Sequence, residues 1–213
     1  MRLRYKEWAI PELRDNKYIF FDPDENKGRW HEIFGNDRPI YLEIGAGRGR
    51  FSLQSASDNP DINYIALEME AGAFVYAGRL FKESCLENIY GIRAVAEKLL
   101  DFFEEDEIVG IYINFCNPWP KNRQHKRRLT HPRLLELYRH ILKNSGLIEL
   151  KTDDRSFFED SIDYFKSCGF ELVEVDFDLP EDKEGNIVTE YESKWRSKGI
   201  AICYLKAKLL KDK

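Results

Sequence analysis

The sequence predicts an α/β fold: a mostly parallel central sheet of about seven strands with an antiparallel last strand, and helices on both faces. Three observations predict it. Short apolar runs alternate with segments of helical period from residue 39 to residue 169, the pattern of repeated strand–helix units. The first such run, Ile40 to Ile44, passes into Gly45-Ala46-Gly47-Arg48-Gly49 before helical spacing begins near Phe51. The last two strand-like segments, Phe170 to Phe177 and Ile200 to Leu209, are joined only by a polar stretch, so they are expected to be antiparallel neighbours.

Taken in order, residues 1–38 are aromatic and charged, with Trp8, Tyr18, Phe20, Phe21 and Trp30 and no clean period. They read as an arm packed on a single main domain, residues 39–213. Arg2, Arg4 and Lys6 offer a weak nucleic-acid contact within it. After the glycine turn, Asn63 to Leu67 is a strand ending in Glu68, and Ala71 to Ser84 a helix with Phe74, Ala77, Gly78 and Phe81 on one side. Ile89 to Ala94 is a third strand. Val95-Ala96-Glu97 begins the next turn, and a helix follows over Lys98 to Phe103. Ile108 to Phe115 is the fourth strand. His131 to Lys143 is an amphipathic helix stopped by Asn144-Ser145-Gly146, Leu147 to Leu150 a fifth strand, and Phe157 to Ser167 a helix closed by Gly169.

Composition narrows the function classes. At 213 residues, 43% apolar and 33% charged, the chain is an ordinary globular sequence, long enough for a sizeable core. No apolar stretch has the length of a membrane span or a signal-peptide core, so no membrane association is expected. Cys85, Cys116, Cys168 and Cys203 are far apart and form no metal-ligand spacing, which fits free thiols, a cytoplasmic setting and no metal. The net charge of −5 argues against a wholesale nucleic-acid coat. It leaves room for a local basic patch, because screening confines charge effects to about 10 Å.

The strand–glycine turn–helix unit is a ligand-binding device. Glycines let a ligand approach the backbone, and the helix beyond offers unpaired N–H groups. A dinucleotide fingerprint wants G-x-G-x-x-G, whereas the spacing here is G-x-G-x-G with Glu43 two residues before it. A carboxylate there repels pyrophosphate and attracts a cationic amino-acid tail, so Glu43 with Gly45, Gly47 and Gly49 favours S-adenosylmethionine over NAD. Glu68, about 20 residues further on at a strand's carboxyl end, is placed to hold ribose hydroxyls.

The stretch Ile108 to Arg133 carries the most distinctive chemistry. Its apolar strand is stopped by Pro118 and Pro120, which bracket Trp119. A tongue with no carboxylate follows: Lys121, Arg123, Lys126, Arg127, Arg128 and Arg133, with His125 and His131 among them. Such a run is suited to neutralising phosphates beside a reaction site. Trp119 either stacks on an unpaired base or caps the strand end. Glu43, Glu68, Val95, Asn117 and Asp153 all fall at predicted carboxyl ends of strands, where ligands bind in sheets of this kind.

These residues resemble the bacterial tRNA (guanine-N7)-methyltransferases over nearly the whole chain. The resemblance rests on Glu43 to Gly49, on Asn114 to Pro120 with Lys121 to Leu129 after it, on Lys151-Thr152-Asp153, and on Gly185-Asn186-Ile187 with Thr189 to Glu192. It implies a Rossmann-like methyltransferase fold. It also implies methyl transfer from S-adenosylmethionine, with S-adenosylhomocysteine as product, to N7 of a variable-loop guanosine of tRNA. Cofactor contact is implied at Glu43, Glu68, Val95 with Ala96, and Asn117, which is also the catalytic position. Substrate contact is implied at Lys121, Asp153, Thr189, Glu190, Tyr191 and Glu192. RNA contact is implied along Arg123, Gln124, His125, Lys126, Arg127 and Arg128.

The chain departs from that family at three positions. Asn117 and Val95 stand where the family usually has Asp, and Ala46 where it often has Cys. Val95 removes an acceptor for the adenine amino group, and Asn117 removes a negative charge facing the purine. The expectation is a tuned or weakened enzyme. A non-catalytic RNA-binding protein, and a methyltransferase acting on another substrate, are the alternatives.

Overall fold

The computed structural model describes residues 6–211. Arg2 and Arg4, named above as weak nucleic-acid contacts, lie outside the described residues. The chain begins with α1 (Ala9–Arg14), β1 (Ile19–Phe21) and α2 (Trp30–Phe34), followed by β2 (Ile40–Ile44), α3 (Arg50–Asp58), β3 (Asn63–Leu67) and α4 (Ala71–Ser84). Next come β4 (Ile89–Arg93), α5 (Leu99–Phe102), β5 (Ile108–Asn114), α6 (Pro132–Ile141) and β6 (Leu142–Thr152). The last elements are α7 (Arg155–Ser167), β7 (Phe170–Asp176), α8 (Glu190–Arg196) and β8 (Cys203–Leu209).

All strands join one sheet in the order β1-β4-β3-β2-β5-β6-β8-β7. The pairs from β1 to β6 are parallel, and β8 runs antiparallel to both β6 and β7. The sheet has eight strands rather than about seven. The extra one is β1, which pairs Ile19 to Phe21 with Gly91 to Arg93. Three residues are too few to show an alternating pattern, so this strand is invisible in the sequence.

Alternate residues of the central strands feed two apolar layers, as the pleat requires. Leu42, Ile44, Ile65 and Leu67 face Trp30, Phe102, Tyr138, Phe157 and Phe158 from α2, α5, α6 and α7. Tyr64 and Ala66 face Leu13, Phe74 and Phe81 from α1 and α4. Buried on both sides, β3 is inaccessible at every position.

Helix starts follow local chemistry. Pro132 opens α6, with His131 accepting from the Arg133 N–H. Asp154 caps α7 by accepting from the Phe157 N–H at 2.8 Å, and Thr189 caps α8 by accepting from the Glu192 N–H at 3.0 Å.

Three segments depart from expectation. The polar stretch before β8 holds a short helix, α8, begun by that threonine cap. The helix expected over Lys98 to Phe103 is one α-turn after a turn of 3-10 helix at Ala96–Lys98. Asn144-Ser145-Gly146 does not separate α6 from a strand. It lies inside β6, where the register against β5 shifts and Ser145 takes φ +67°.

Candidate active site

Parallel strands put their carboxyl ends on one edge. Ile44 of β2 lies beside Leu67 of β3, Leu67 beside Ile92 of β4, and Asn114 of β5 beside Lys151 of β6. The loops after β2, β3, β4, β5 and β6, which carry the glycine turn, Glu68, Val95, Asn117 and Asp153, therefore leave from a common edge. The tongue folds back over it: Leu129 lies 3.7 Å from where a Cβ on Gly45 would be.

The glycine turn is tied down by the strand next door. The N–H groups of Gly45 and Ala46 donate to the Leu67 carbonyl at 2.8 and 3.1 Å, and the Gly47 N–H donates to Glu68 Oε2 at 2.9 Å. Gly47 and Gly49 both have positive φ, +56° and +71°, but for different ends. A Cβ at Gly49 would sit 2.6 Å from that of Ala77, so its bareness serves the contact of α3 with α4. At Gly47 nothing lies within 4 Å, so open space stands over the backbone there.

Two acids sit under and beside this turn. Glu43 is buried and accepts from Ser52 Oγ at 2.5 Å and Asn114 Nδ2 at 3.2 Å. Burial pushes its carboxyl above the ordinary range, and none of the groups acting on it is a cation. Glu68 is 9% exposed, and burial raises its carboxyl too. Both its oxygens already accept backbone N–H groups, from Gly47 and, at 2.7 Å, from Glu70. Each keeps a further lone pair for a hydroxyl. Val95 is half-buried, and Ala96, 5% exposed, begins the 3-10 turn after it.

The loop after β5 is held in an unfavourable shape. Phe115 and Trp119 have φ of +50° and +43°, which for non-glycine residues costs about 1–3 kcal/mol each. Four contacts hold it. The Phe115 N–H donates to the Lys151 carbonyl at 2.9 Å, and the Trp119 N–H donates to Asn117 Oδ1 at 3.1 Å. The Phe115 ring stacks on Tyr191 at 6.2 Å between centroids. Arg128 supplies the fourth contact.

Arg128 lies apart from the rest of the tongue. Sequence places it with the RNA-facing tongue, but its side chain is 2% exposed. Its Nε donates to the Pro118 carbonyl at 2.8 Å and its Nη1 to Asp160 Oδ2 of α7 at 2.5 Å, with the guanidinium 5.4 Å from the Phe157 ring. A side chain so engaged fastens the loop. The other tongue residues form a turn of 3-10 helix, Asn122–Arg127. Lys121, Arg123, Lys126 and Arg127 are exposed there, with Gln124 and His125 half-buried. Trp119 is half-buried under the Arg127 guanidinium at 5.0 Å.

Glu192 is buried as well. Expected to face substrate, it is 0% exposed. It accepts from Arg196 Nη2 at 2.8 Å, Lys151 Nζ at 3.3 Å and Asn186 Nδ2 at 3.1 Å. Burial alone would raise its carboxyl, but Arg196 and Lys151 hold it below the usual range. Lys151 also donates to Asn186 Oδ1 and to the Ile187 carbonyl. This cluster ties the segment before β8 to the end of β6. Of the other residues expected there, Thr189 is the α8 cap, Glu190 pairs with Arg50 at 2.9 Å, and Tyr191 is 58% exposed over Phe115. Asp153 is half-buried at the end of β6.

Sequence reasoning did not single out Ser52 and Asn114, which hold Glu43, nor Asp160, which holds Arg128. Ser52 could have been found, since it sits in the first turn after the glycines. Asp160 could not, because its partner lies 32 residues away. Beneath the site on one sheet face lies a cleft of about 420 Å³, which shares Asn114 and Lys151 with it and is otherwise lined by Tyr41, Tyr112, Tyr204 and Glu149 among others.

Comparison with known proteins agrees with this geometry. Residues 37–205 match a family described as "Putative methyltransferase". The chain is similar to the tRNA (guanine-N(7)-)-methyltransferase of Clostridium tetani, 46% identical over 210 residues covering 98% of this chain and 100% of that protein. The protein of the same name from Desulfitobacterium hafniense (strain Y51) is 44% identical over 203 residues, covering 95% of this chain and 94% of its own. Among solved structures, the 16S rRNA methyltransferase KamB superposes with a TM-score of 0.66 at 15% identity, covering 86% of this chain and 94% of that one. The precorrin-6y C5,15-methyltransferase of Geobacter metallireducens gives 0.59 at 15% identity, covering 99% and 91%. These two show a shared fold.

Proposed function

We propose that this chain, which belongs to the tRNA (guanine-N(7)-)-methyltransferase family, transfers a methyl group from S-adenosylmethionine to N7 of a guanosine in tRNA. One observation carries the reading: open backbone at Gly47 and a buried Glu43 with no cation beside it among the described residues, at the same sheet edge as Asp153 and an exposed cationic tongue.

The donor set fits the cofactor. Glu43 is a buried carboxyl with no cation beside it among the described residues, and a cationic amino-acid tail would supply one. Gly45, Gly47 and Gly49 let the ligand lie against main chain, Glu68 has lone pairs left for ribose hydroxyls, and Val95 and Ala96 offer apolar wall and backbone to the adenine. S-adenosylmethionine, when bound, supplies an electrophilic methyl group on sulfur. No residue need act as a strong base, because guanine N7 is a lone pair carrying no proton. The work of the chain is to hold that lone pair in line with the methyl group, mainly proximity and orientation.

Asp153 is suited to accept from the N1–H and N2–H₂ edge of guanine and to stabilise the positive charge that develops on the purine. Asn117 presents an amide at the reacting centre where the family usually has a carboxylate. Lys121, Arg123, Lys126 and Arg127 would meet phosphates, with Gln124 and His125 between them, and Tyr191 and Thr189 would bound the base. In this reading residues 39–213 are the catalytic unit, the 1–38 arm closes the sheet through β1, and the enzyme works in the cytoplasm.

Asn117 and Val95 favour a second form of the reading, a slow enzyme or one kept for RNA binding. Tritium transfer from labelled S-adenosylmethionine to unmodified tRNA, with chemical cleavage at 7-methylguanosine, decides between them. Label at a single guanosine is the expected result. Cofactor binding by calorimetry with no label in any tRNA would overturn it.

A further inference from the structure

A second group of cations stands by the start of α4, which follows β3, whereas the tongue follows β5; these two strands flank β2 and its glycine turn. Lys6 Nζ donates to Tyr76 Oη and to the Gly72 carbonyl, both at 2.9 Å, and lies 4.2 Å from the Tyr76 ring centroid. Arg48, the residue between Gly47 and Gly49, holds its guanidinium 5.2 Å from the same ring, and Arg79 holds its own at 5.5 Å. Arg79 is neutralised by two hydrogen bonds to Glu12, at 2.5 and 2.7 Å. Lys6 and Arg48 take part in no ion pair among the described residues.

Cations gathered about one ring repel one another. The ring face offsets part of this. The excess positive charge of Lys6 and Arg48 has no carboxylate to answer it. Together they lower the Tyr76 hydroxyl's pKa, Lys6 most of all through its hydrogen bond. The position is as telling as the charge. Arg48 belongs to the glycine turn, and Gly72 lies in the first turn of α4, four residues after Glu68, so the group borders the proposed cofactor pocket. The tongue, which follows β5, borders it from the opposite side. Two cationic rims on unrelated elements thus bracket one pocket.

We propose that Lys6 and Arg48, organised by Tyr76, form a second contact surface for the phosphate backbone of the tRNA, so that the RNA crosses the pocket from the tongue to the start of α4. The proposal rests on the reading above that tRNA is the substrate. Phosphate contacts of this kind fix orientation and carry no sequence information, which suits an enzyme that must present one base to a fixed methyl group.

The test uses the full chain carrying Lys6→Ala with Arg48→Ala, binding unmodified tRNA between about 50 and 200 mM salt. Each lost phosphate contact lowers the slope of log affinity against log salt by about 0.7–0.9. The double variant is therefore expected to lose about 1.4–1.8 of slope, with S-adenosylmethionine affinity by calorimetry unchanged. Lys6→Arg with Arg48→Lys, which keeps both charges, is expected to restore it. An unchanged slope overturns the proposal, and so does a loss confined to cofactor affinity, which would assign Arg48 to the cofactor. A parallel Arg123→Ala with Arg127→Ala variant separates the two readings. If it lowers the slope while the first variant does not, the second surface alone is wrong. If neither variant nor wild type shows salt-dependent tRNA binding, the functional reading falls and the surface with it.

Discussion

Replacing Arg128 by Lys separates a residue that holds the site from one that holds RNA. The guanidinium makes two hydrogen bonds in different directions, to the Pro118 carbonyl at 2.8 Å and to Asp160 at 2.5 Å. A lysine ammonium is a point charge and reaches one of them. Losing a hydrogen bond from a charged donor costs about 1.5–3 kcal/mol. The stranded partner adds little if it is Asp160, which is 41% exposed and screened by water. It adds more if it is the Pro118 carbonyl, under the strained Trp119. The total is about 2–3 kcal/mol, or roughly 4–12 °C of melting temperature for a domain of this size. The functional effect falls on the loop. Pro118 adjoins Asn117, and a displacement on the order of 1 Å at a reacting centre costs about 100-fold in rate. Turnover with saturating tRNA and S-adenosylmethionine is therefore expected to drop about 10- to 100-fold, with tRNA affinity and its salt slope at wild-type values. A variant that turns over normally but loses about 0.7–0.9 of salt slope would show Arg128 to be a phosphate contact and refute the reasoning.

Four further substitutions probe the acids and the amide of the site. Glu43→Gln is expected to raise the melting temperature of the cofactor-free protein and to weaken S-adenosylmethionine binding, both readable by calorimetry. Because burial raises this carboxyl in the folded state, its penalty is absent below the unfolded pKa, grows as pH rises through the folded one, and is full above it. The stability difference between variant and wild type should widen with pH across that window, and a constant difference would contradict the assignment. Asn117→Asp is expected to speed single-turnover methyl transfer about tenfold, roughly 1.4 kcal/mol for a restored charge facing the purine; an unchanged rate would show that this position does not bear the charge. Asp153→Asn should cut turnover with little change in stability. Glu192→Gln should do the reverse, leaving a buried Lys151 and a half-buried Arg196 beside a neutral partner at a cost of about 3–5 kcal/mol, and equal thermal stability of the two variants would be the wrong outcome.

What sequence could and could not show divides along physical lines. The strands β2 and β3 and the helix α4 were legible to the residue, because a strand buried on both faces and a long amphipathic helix each carry a repeating signal. The glycine turn was legible because positive φ demands glycine. Lost were the features that depend on a partner far along the chain. β1 is a strand only because β4 offers it an edge. Arg128 and Glu192 carry the charges expected of them, but whether a charge faces solvent or a buried partner is decided by Asp160, Lys151 and Arg196. The run Lys121 to Arg128 looks uniform as text, yet folding turns its last arginine inward and leaves Arg123, Lys126 and Arg127 outside.

That sorting of charges bears on the chemistry. The acids at this edge are few, and most are already engaged. Glu192 is locked between two cations, Glu190 is paired with Arg50, Glu68 is bonded to the glycine turn, and Glu43 lies beneath that turn. Asp153 is half-buried at the mouth and enters none of the ion pairs among the described residues. In the proposed reading, a purine that gains positive charge would find an anion free of ion pairs at the end of β6, held there by the parallel pairing of Asn114 with Lys151. In that reading, with Asn117 in place of the family's usual carboxylate, stabilisation of that charge would rest on one strand end instead of two. The chain then depends more on placement, and placement in the β5 loop runs through Arg128, which is why the loop's anchor rather than its amide is the more sensitive point of the site.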